Sequence, residues 1–311
     1  MQLEAELAKF SPKKGMLLTI GVFDGVHLGH RHLLSKLTGL AQERGLLSGV
    51  VTFSDHPRGL LAPRTKLPFL TDIEQRTRLL KNEGVDEVIP LSFTPELAKL
   101  SPKEFLGRLQ ELLKMQGLVV GPDFALGKGR RGNIETLRKL GAEMGFSFTV
   151  VPPRLIDGEK VSSTAIRKAL AEGDMERAQK LFGHPFRLHG RVARGERRGI
   201  ELLGFPTANI DTDVEQALPA DGVYASQAFV GDKSYPAMTN IGSNPTFGGD
   251  KRLVEVYILD YDKDLYGQEL AVDVLSRLRD EIKFASAEAL KAQITEDVKK
   301  GKAILNTRGV K

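Results

Sequence analysis

Two histidines three residues apart, His27 and His30, close the segment Gly21-Val22-Phe23-Asp24-Gly25-Val26-His27-Leu28-Gly29-His30. A nearly continuous apolar run, residues 16–23, leads into it, and residues 28–44 read as an amphipathic helix beyond it. A strand that hands over directly to a helix favours phosphate chemistry, because free backbone N–H groups and the positive end of the helix dipole converge there on an anion. Gly25 and Gly29 permit close backbone approach. One turn apart on a helix, both imidazoles can address one phosphate. Surface decoration, a satisfied core pair or a metal pair are the alternatives; no third metal ligand lies nearby in sequence.

A second hydroxyl-rich helix start, Val161-Ser162-Ser163-Thr164-Ala165-Ile166-Arg167, reads either as simple capping or as a phosphate clamp with Arg167 one turn in. In the C-terminal half, Gly204-Phe205-Pro206-Thr207-Ala208-Asn209 sets Thr207 and Asn209 at i and i+2, on one face if the chain is extended. Glu255 precedes an apolar strand, and Arg277 and Arg279 precede the last helix. Alone, these residues equally describe a turn asparagine, a solvent-facing glutamate on a half-buried strand and structural ion-pair partners.

The elements that must position these groups fall into two sets. Strand-like segments at 16–23, 47–53, 85–91, 118–121 and 146–151 alternate with helical ones at 28–44, 72–82 and 101–115, the last opening on Ser101-Pro102. Continuous apolar strands alternating with helices imply a parallel sheet covered on both faces. The character changes near Gly183-His184-Pro185. Short, turn-punctuated strands follow at 186–193, 222–229, 235–241, 253–259 and 269–275, as in a barrel or sandwich, and a helix at 287–305 closes the chain. The expected division is 1–183 and 184–311, an α/β domain followed by a β domain with a terminal helix.

Composition excludes several classes of function. The 311 residues contain no Cys, which removes disulfides, thiolate zinc sites and cysteine nucleophiles together. No apolar run reaches the ~20 residues of a membrane helix, and the start MQLEAELAKF lacks a secretory pattern, so a cytoplasmic protein with no membrane partner is expected. A net charge of +5 is dispersed, apart from Arg130-Arg131 and Arg197-Arg198. That suits a cleft for anionic nucleotides better than a nucleic-acid footprint, which needs a concentrated basic stripe. Nothing in the sequence indicates a homo-oligomer.

Together the first two motifs resemble the HxGH and SSTxxR elements of the nucleotidylyltransferase superfamily, and GVFDGVHLGH is similar to the N-terminal module of bacterial bifunctional FAD synthetases. Gly121-Pro122-Asp123-Phe124-Ala125-Leu126-Gly127 followed by Gly132 resembles that family's G-x-D/N-F-x-F-G-x-x-x-x-G loop, with Leu126 in place of Phe and Asn133 where an acid is common. His56-Pro57 resembles its F-x-P-H-P element, with Asp55 replacing the first Pro. Pro206-Thr207-Ala208-Asn209, Pro219-Ala220-Asp221-Gly222-Val223-Tyr224, 240–247 and 277–281 resemble, in order, the riboflavin kinase module; Ile200 lies where many members carry Arg. The whole is similar to the bifunctional riboflavin kinase/FMN adenylyltransferase family.

The resemblance implies a Rossmann-like adenylyltransferase domain and a β-barrel kinase domain, acting on riboflavin, FMN and ATP with Mg2+. It implies ATP contacts at Gly21, Phe23, Asp24, Gly25, His27, His30, Asp123, Ser162, Ser163, Thr164 and Arg167 in the first. In the second it implies ATP contacts at Gly204, Pro206, Thr207 and Asn209, the last two with Mg2+, flavin contacts at Asn240, Arg277 and Arg279, and Glu255 as general base.

Overall fold

A computed structural model describes residues 2–54, 67–193, 205–212, 216–243 and 252–310. The chain forms two compact units, Met1–Ser163 and Thr164–Lys311.

The first unit is built on a five-stranded parallel sheet in the order β3-β2-β1-β4-β5, from β1 (Met16–Ile20), β2 (Leu47–Phe53), β3 (Glu87–Leu91), β4 (Met115–Val120) and β5 (Ser147–Val150). Because alternate residues of a strand face opposite sides, β1 feeds two cores. Met16, Leu18 and Ile20 pack with Leu3 and Leu7 of α1 (Gln2–Ala8), Phe105 and Leu109 of α5 (Pro102–Leu113) and Leu137 of α6 (Ile134–Met144). Leu17 packs with Leu34 and Leu37 of α2 (Leu28–Glu43) and Leu80 of α3 (Ile73–Asn82). Burial on both faces is why apolar residues dominate β1, β2 and β4. The short α4 (Pro95–Lys99) and the hairpin β6 (Leu155–Ile156) and β7 (Glu159–Lys160) complete the unit. Successive strands are added on one side of β1 up to β3, and the chain then crosses to β4 on the other side. The crevice beyond the carboxyl ends of β1 and β4 is therefore the topological switch point, where sheets of this kind bind ligands.

Two of these elements differ from the expected ones. α5 stops at Leu113, and Met115 opens β4, earlier than the strand expected at 118. The turn is made by Lys114 in the left-handed region (φ 50°), a closure normally signalled by glycine and so invisible in a lysine.

The second unit contains a closed six-stranded antiparallel barrel, β10-β11-β12-β9-β8-β13, from β8 (Phe186–Ala193), β9 (Ala208–Thr212), β10 (Gly222–Val230), β11 (Lys233–Ser243), β12 (Arg252–Ile258) and β13 (Glu269–Arg279). The terminal helix α9 (Ala287–Thr307) lays Leu305 against Ala225, Met238 and Leu275 on the outer barrel wall. Helices α7 (Ser163–Glu172) and α8 (Met175–Phe182) precede the barrel. The Ala220 N–H donates to the Leu170 carbonyl at 2.8 Å, the Gln179 amide to that of Leu275 at 2.8 Å, and the Phe182 and Phe186 rings stack 5.9 Å apart. The unit thus begins upstream of residue 184, because the buried faces of α7 and α8 are part of it.

Candidate active sites

The turn between β1 and α2 is held in an unusual conformation. Phe23, Gly25 and Val26 have φ of 52°, 83° and 36°. For a β-branched residue such as Val26 this is a true outlier, costing about 1–3 kcal/mol, and it persists only where its surroundings over-determine it. Those surroundings are hydrogen bonds. The Thr52 hydroxyl donates to the Val22 carbonyl at 2.9 Å, and the Gly25 N–H donates to the Thr71 hydroxyl oxygen at 3.0 Å. The Ser163 hydroxyl donates to the Asp24 carbonyl at 2.9 Å, so this serine, the last residue of the first unit, also holds the turn.

The result is a poised pair of imidazoles. His27, 4% exposed, is the N-cap of α2, and its Nδ1 accepts the His30 N–H at 3.2 Å. With Nδ1 accepting, the ring proton of a neutral His27 would sit on Nε2. The His30 ring stacks on it with centroids 3.6 Å apart, and the Phe23 ring flanks His30 at 5.0 Å. Burial, and then the neighbouring charges of His27 and Arg76, hold the His30 pKa well below its ordinary value, so this ring is neutral at physiological pH. A β-carbon at Gly29 would lie 3.0 Å from the Val161 carbonyl oxygen and 3.1 Å from the His27 ring. Gly29→Ala is therefore expected to push the His27 ring aside. On the activities that the resemblance implies, FAD formation should fall at least tenfold with FMN formation unchanged, as chromatography of the flavins would show.

The remaining expected residues of this site fall into distinct places. Gly21 leads into the turn, directly after β1. The Asp24 carboxylate is buried, accepting from the Leu70 and Thr71 N–H groups at 2.9 and 3.1 Å, and so faces the protein and not an open crevice. Asp123 is exposed just beyond β4 and pairs with Lys160. Leu126, where the family has Phe, is buried in the core and pairs with Gly132 across the loop. Asn133 accepts the Thr136 N–H at 3.0 Å as the N-cap of α6, a task Asn performs as well as Asp. Ser162 immediately precedes α7; Thr164 and Arg167 lie on that helix, in the second unit. Asp55 and the His56-Pro57 element lie outside the described residues.

In the barrel, antiparallel register does the positioning. Asn209 of β9 is opposite Glu255 of β12, and Glu255 is opposite Asn240 of β11, so the three share one rung and one face. Val254, Val256 and Ile258 alternate with them and are buried. Glu255 faces a cavity of about 500 Å³ lined also by Thr207, Asn240, Tyr257 and Arg279, and by Leu290 of α9. Desolvation raises the Glu255 pKa, nearby Glu281 raises it further, and a hydrogen bond from Asn240 opposes them. Glu255 is half-buried at the wall of this cavity. A second cavity, of about 710 Å³, adjoins Pro206, Thr207, Ala208 and residues 261–266. Thr207 lines both.

The two arginines part company. Arg279 lines the first cavity, its guanidinium gripped by the buried Asp297 of α9 at 2.8 Å. Arg277 does not line it: its guanidinium donates to the Asp221 carbonyl at 2.5 Å and pairs with Asp280 at 3.0 Å. Gly204, Ile200 and 244–247 lie outside the described residues. Sequence reasoning missed Thr71 and Arg76, which are buried beneath the histidines, and Tyr257, whose place on the cavity wall follows only from its alternation with Val256.

Comparison with known proteins matches the two halves separately. A family model described as FAD synthetase matches residues 9–165, and one described as riboflavin kinase matches residues 182–305. Bifunctional riboflavin kinase/FMN adenylyltransferases are similar along nearly the whole chain. That of Escherichia coli strain K12 is 40% identical over 289 residues, 92% of each chain, and that of Pseudomonas fluorescens is 40% identical over 307 residues, 98% of each. That of Bacillus subtilis strain 168 is 34% identical over 90% of each chain. A solved structure from Streptococcus pneumoniae, described as a macrolide-efflux protein, shares the fold with a TM-score of 0.86 and 32% identity, over 94% of this chain and 95% of that one. Among the described residues here, no helix is long and apolar enough to cross a membrane. The chain belongs to the bifunctional riboflavin kinase/FMN adenylyltransferases, phosphorylating riboflavin to FMN with ATP in its C-terminal domain and adenylylating FMN to FAD, with release of pyrophosphate, in its N-terminal domain.

Proposed function

We propose that Glu255 is the general base of the kinase and that His27 and His30 stabilise the adenylyl transfer. The observation that carries the first assignment is the shared rung of Asn209, Glu255 and Asn240 at the wall of one cavity, with Thr207 bordering a second. The apolar, aromatic-lined cavity suits the flavin, and the other suits the nucleotide. Glu255 takes the proton of the ribityl hydroxyl as its oxygen attacks the γ-phosphorus; the bond to the β-phosphate oxygen breaks and ADP leaves. A carboxylate with a raised pKa is a stronger base than an ordinary one, which serves an alcohol proton. Arg279, backed by Asp297, is placed to meet the flavin or its phosphate.

In the N-terminal domain an oxygen of the FMN phosphate attacks the α-phosphorus of ATP, and the bond to the β-phosphate oxygen breaks. The Nε2–H of His27 and the ring of His30 meet charge developing on the α-phosphate. The hydroxyls of Ser162 and Thr164 and the guanidinium of Arg167 meet the pyrophosphate, while the Ser163 hydroxyl, already donated to the Asp24 carbonyl, holds the turn. Such sites act by position and electrostatics with no covalent intermediate. The chemical division is taken at 183/184, and a cytoplasmic setting accords with the use of ATP in both steps.

The donors in the kinase fit Mg2+. Among the described residues no group of three His, Cys, Asp or Glu side chains could hold a metal ion alone. A site of the neutral donors Thr207 and Asn209 suits an ion that keeps waters and takes its anionic ligands from substrate phosphates. When bound, Mg2+ would neutralise charge on the β- and γ-phosphates. Thr207→Ala is expected to raise the Mg2+ concentration for half-maximal riboflavin phosphorylation by roughly tenfold, with the adenylylation of supplied FMN unchanged. An unaltered metal requirement would remove Thr207 from the site.

A further inference from the structure

Beneath the histidine turn lies a polar cluster almost wholly withdrawn from solvent. Arg76 of α3 is 1% exposed and Asp24 2%. A fully buried arginine is rare unless its charge is paired and its donors are used. Here Nη1 donates to the Phe53 carbonyl at the end of β2 at 2.8 Å, and Nη2 donates to the Thr71 carbonyl at 2.9 Å while lying 3.9 Å from the Asp24 carboxylate. Its guanidinium also sits 5.1 Å from the centroid of the Phe69 ring. Thr71 is the hub. Its carbonyl accepts from Arg76, its N–H and hydroxyl donate to Asp24 at 3.1 and 3.3 Å, and its hydroxyl oxygen accepts the Gly25 N–H at 3.0 Å.

We propose that Arg76, Thr71 and Asp24 are positioning residues for adenylyl transfer, clamping the left-handed turn 23–26 so that His27 and His30 present their rings at the α-phosphate. The turn alone would relax, since Phe23 and Val26 both disfavour positive φ. The cluster removes that freedom from two sides: Asp24 is fastened through its carboxylate, and Gly25 through its N–H. Arg76 also faces His30 electrostatically. The charged or titratable groups acting on His30 are His27 at the start of its own helix and Arg76 from α3, and both oppose its protonation. Asp24 is thereby assigned to the support of the turn, and direct ATP contact is left to its neighbours. The inference rests on the assignment of the histidines to the α-phosphate and adds residues that touch no substrate.

The test uses the full-length protein, with riboflavin phosphorylation as an internal control. Thr71→Val is nearly isosteric and removes only the hydroxyl that bridges Gly25 and Asp24. It is expected to lower kcat for FAD formation roughly 10- to 100-fold, with the KM for ATP changed less than threefold and FMN formation unchanged. Thr71→Ser, which keeps the hydroxyl, should retain most activity. Arg76→Lys should lie between wild type and Arg76→Met, because it keeps the charge and loses the fork. NMR titration of the His30 ring in Arg76→Met should show its pKa moved upward, a change a purely space-filling role would not produce. Should Arg76→Met fail to fold, Thr71→Val decides alone. Near-normal FAD turnover in Thr71→Val overturns the proposal. So does a parallel loss of ATP binding and of thermal stability in that variant, which would make the cluster a fold support only. If His27→Ala is inactive while Thr71→Val is normal, only the positioning inference fails; if His27→Ala is also normal, the histidine assignment fails first.

Discussion

Glu255→Gln is expected to lower riboflavin phosphorylation by ~10²–10⁴ while the adenylylation of supplied FMN proceeds normally. The substitution keeps the size of the side chain and an oxygen that can accept the hydrogen bond from Asn240, and removes only the capacity to take a proton. Because burial and Glu281 raise the Glu255 pKa, the acid limb of the kinase pH profile should lie above the ordinary carboxylate range, with activity rising as pH rises through it. Glu281→Gln removes one cause of that rise and should move the limb to lower pH. Stability supplies an independent check on sign. A carboxyl group whose folded pKa exceeds its unfolded value binds protons more tightly when folded, so its contribution to stability falls as pH rises through the folded pKa. At neutral pH Glu255→Gln should therefore leave the melting temperature unchanged or slightly raised. A kinase loss below tenfold, or one accompanied by a lowered melting temperature, would return Glu255 to the role of an ordinary strand residue.

How much of this was legible in the sequence depended on whether the signal was local. The parallel sheet announced itself because strands buried on both faces are apolar with little interruption, as residues 16–20 are, where only Thr19 is polar. The histidine turn was legible because strand, glycines and helix are contiguous. The shared rung of Asn209, Glu255 and Asn240 was not, because register between distant strands is set by the closure of the barrel and leaves no mark in any one segment. The same holds for Arg76. On the sequence it is one more cation on an amphipathic helix, and only the fold shows that it is buried under the turn 23–26. Helices α1 and α4, at seven and five residues, are too short to display a period. Arg277 and Arg279 show the limit from the other side: two residues apart on β13 and alike in sequence, they are separated by their partners, Asp221 and Asp280 for one and Asp297 for the other.

Changing either His27 or His30 to Ala should lower FAD formation by ~10²–10³, about 3–4 kcal/mol of transition-state stabilisation. The two changes together should cost less than their sum, since stacked rings 3.6 Å apart act on one group. Riboflavin incubations with the double variant should accumulate FMN, because the kinase rung lies in the other unit. The neutrality of His30 makes a sharper claim. Burial, His27 and Arg76 all hold the His30 pKa down, so the role proposed for His30 is that of a neutral hydrogen-bond donor and not of a fixed positive charge. His30→Asn, which keeps a neutral N–H donor, should then retain more activity than His30→Ala, whereas a role for positive charge would make the two equally poor. ATP binding should weaken far less than turnover in each variant, as backbone N–H groups at the start of α2 still meet an anion. Equal loss of FMN and FAD formation with a lowered melting temperature would assign the pair to the fold, and normal FAD formation in the double variant would remove the histidines from the reaction.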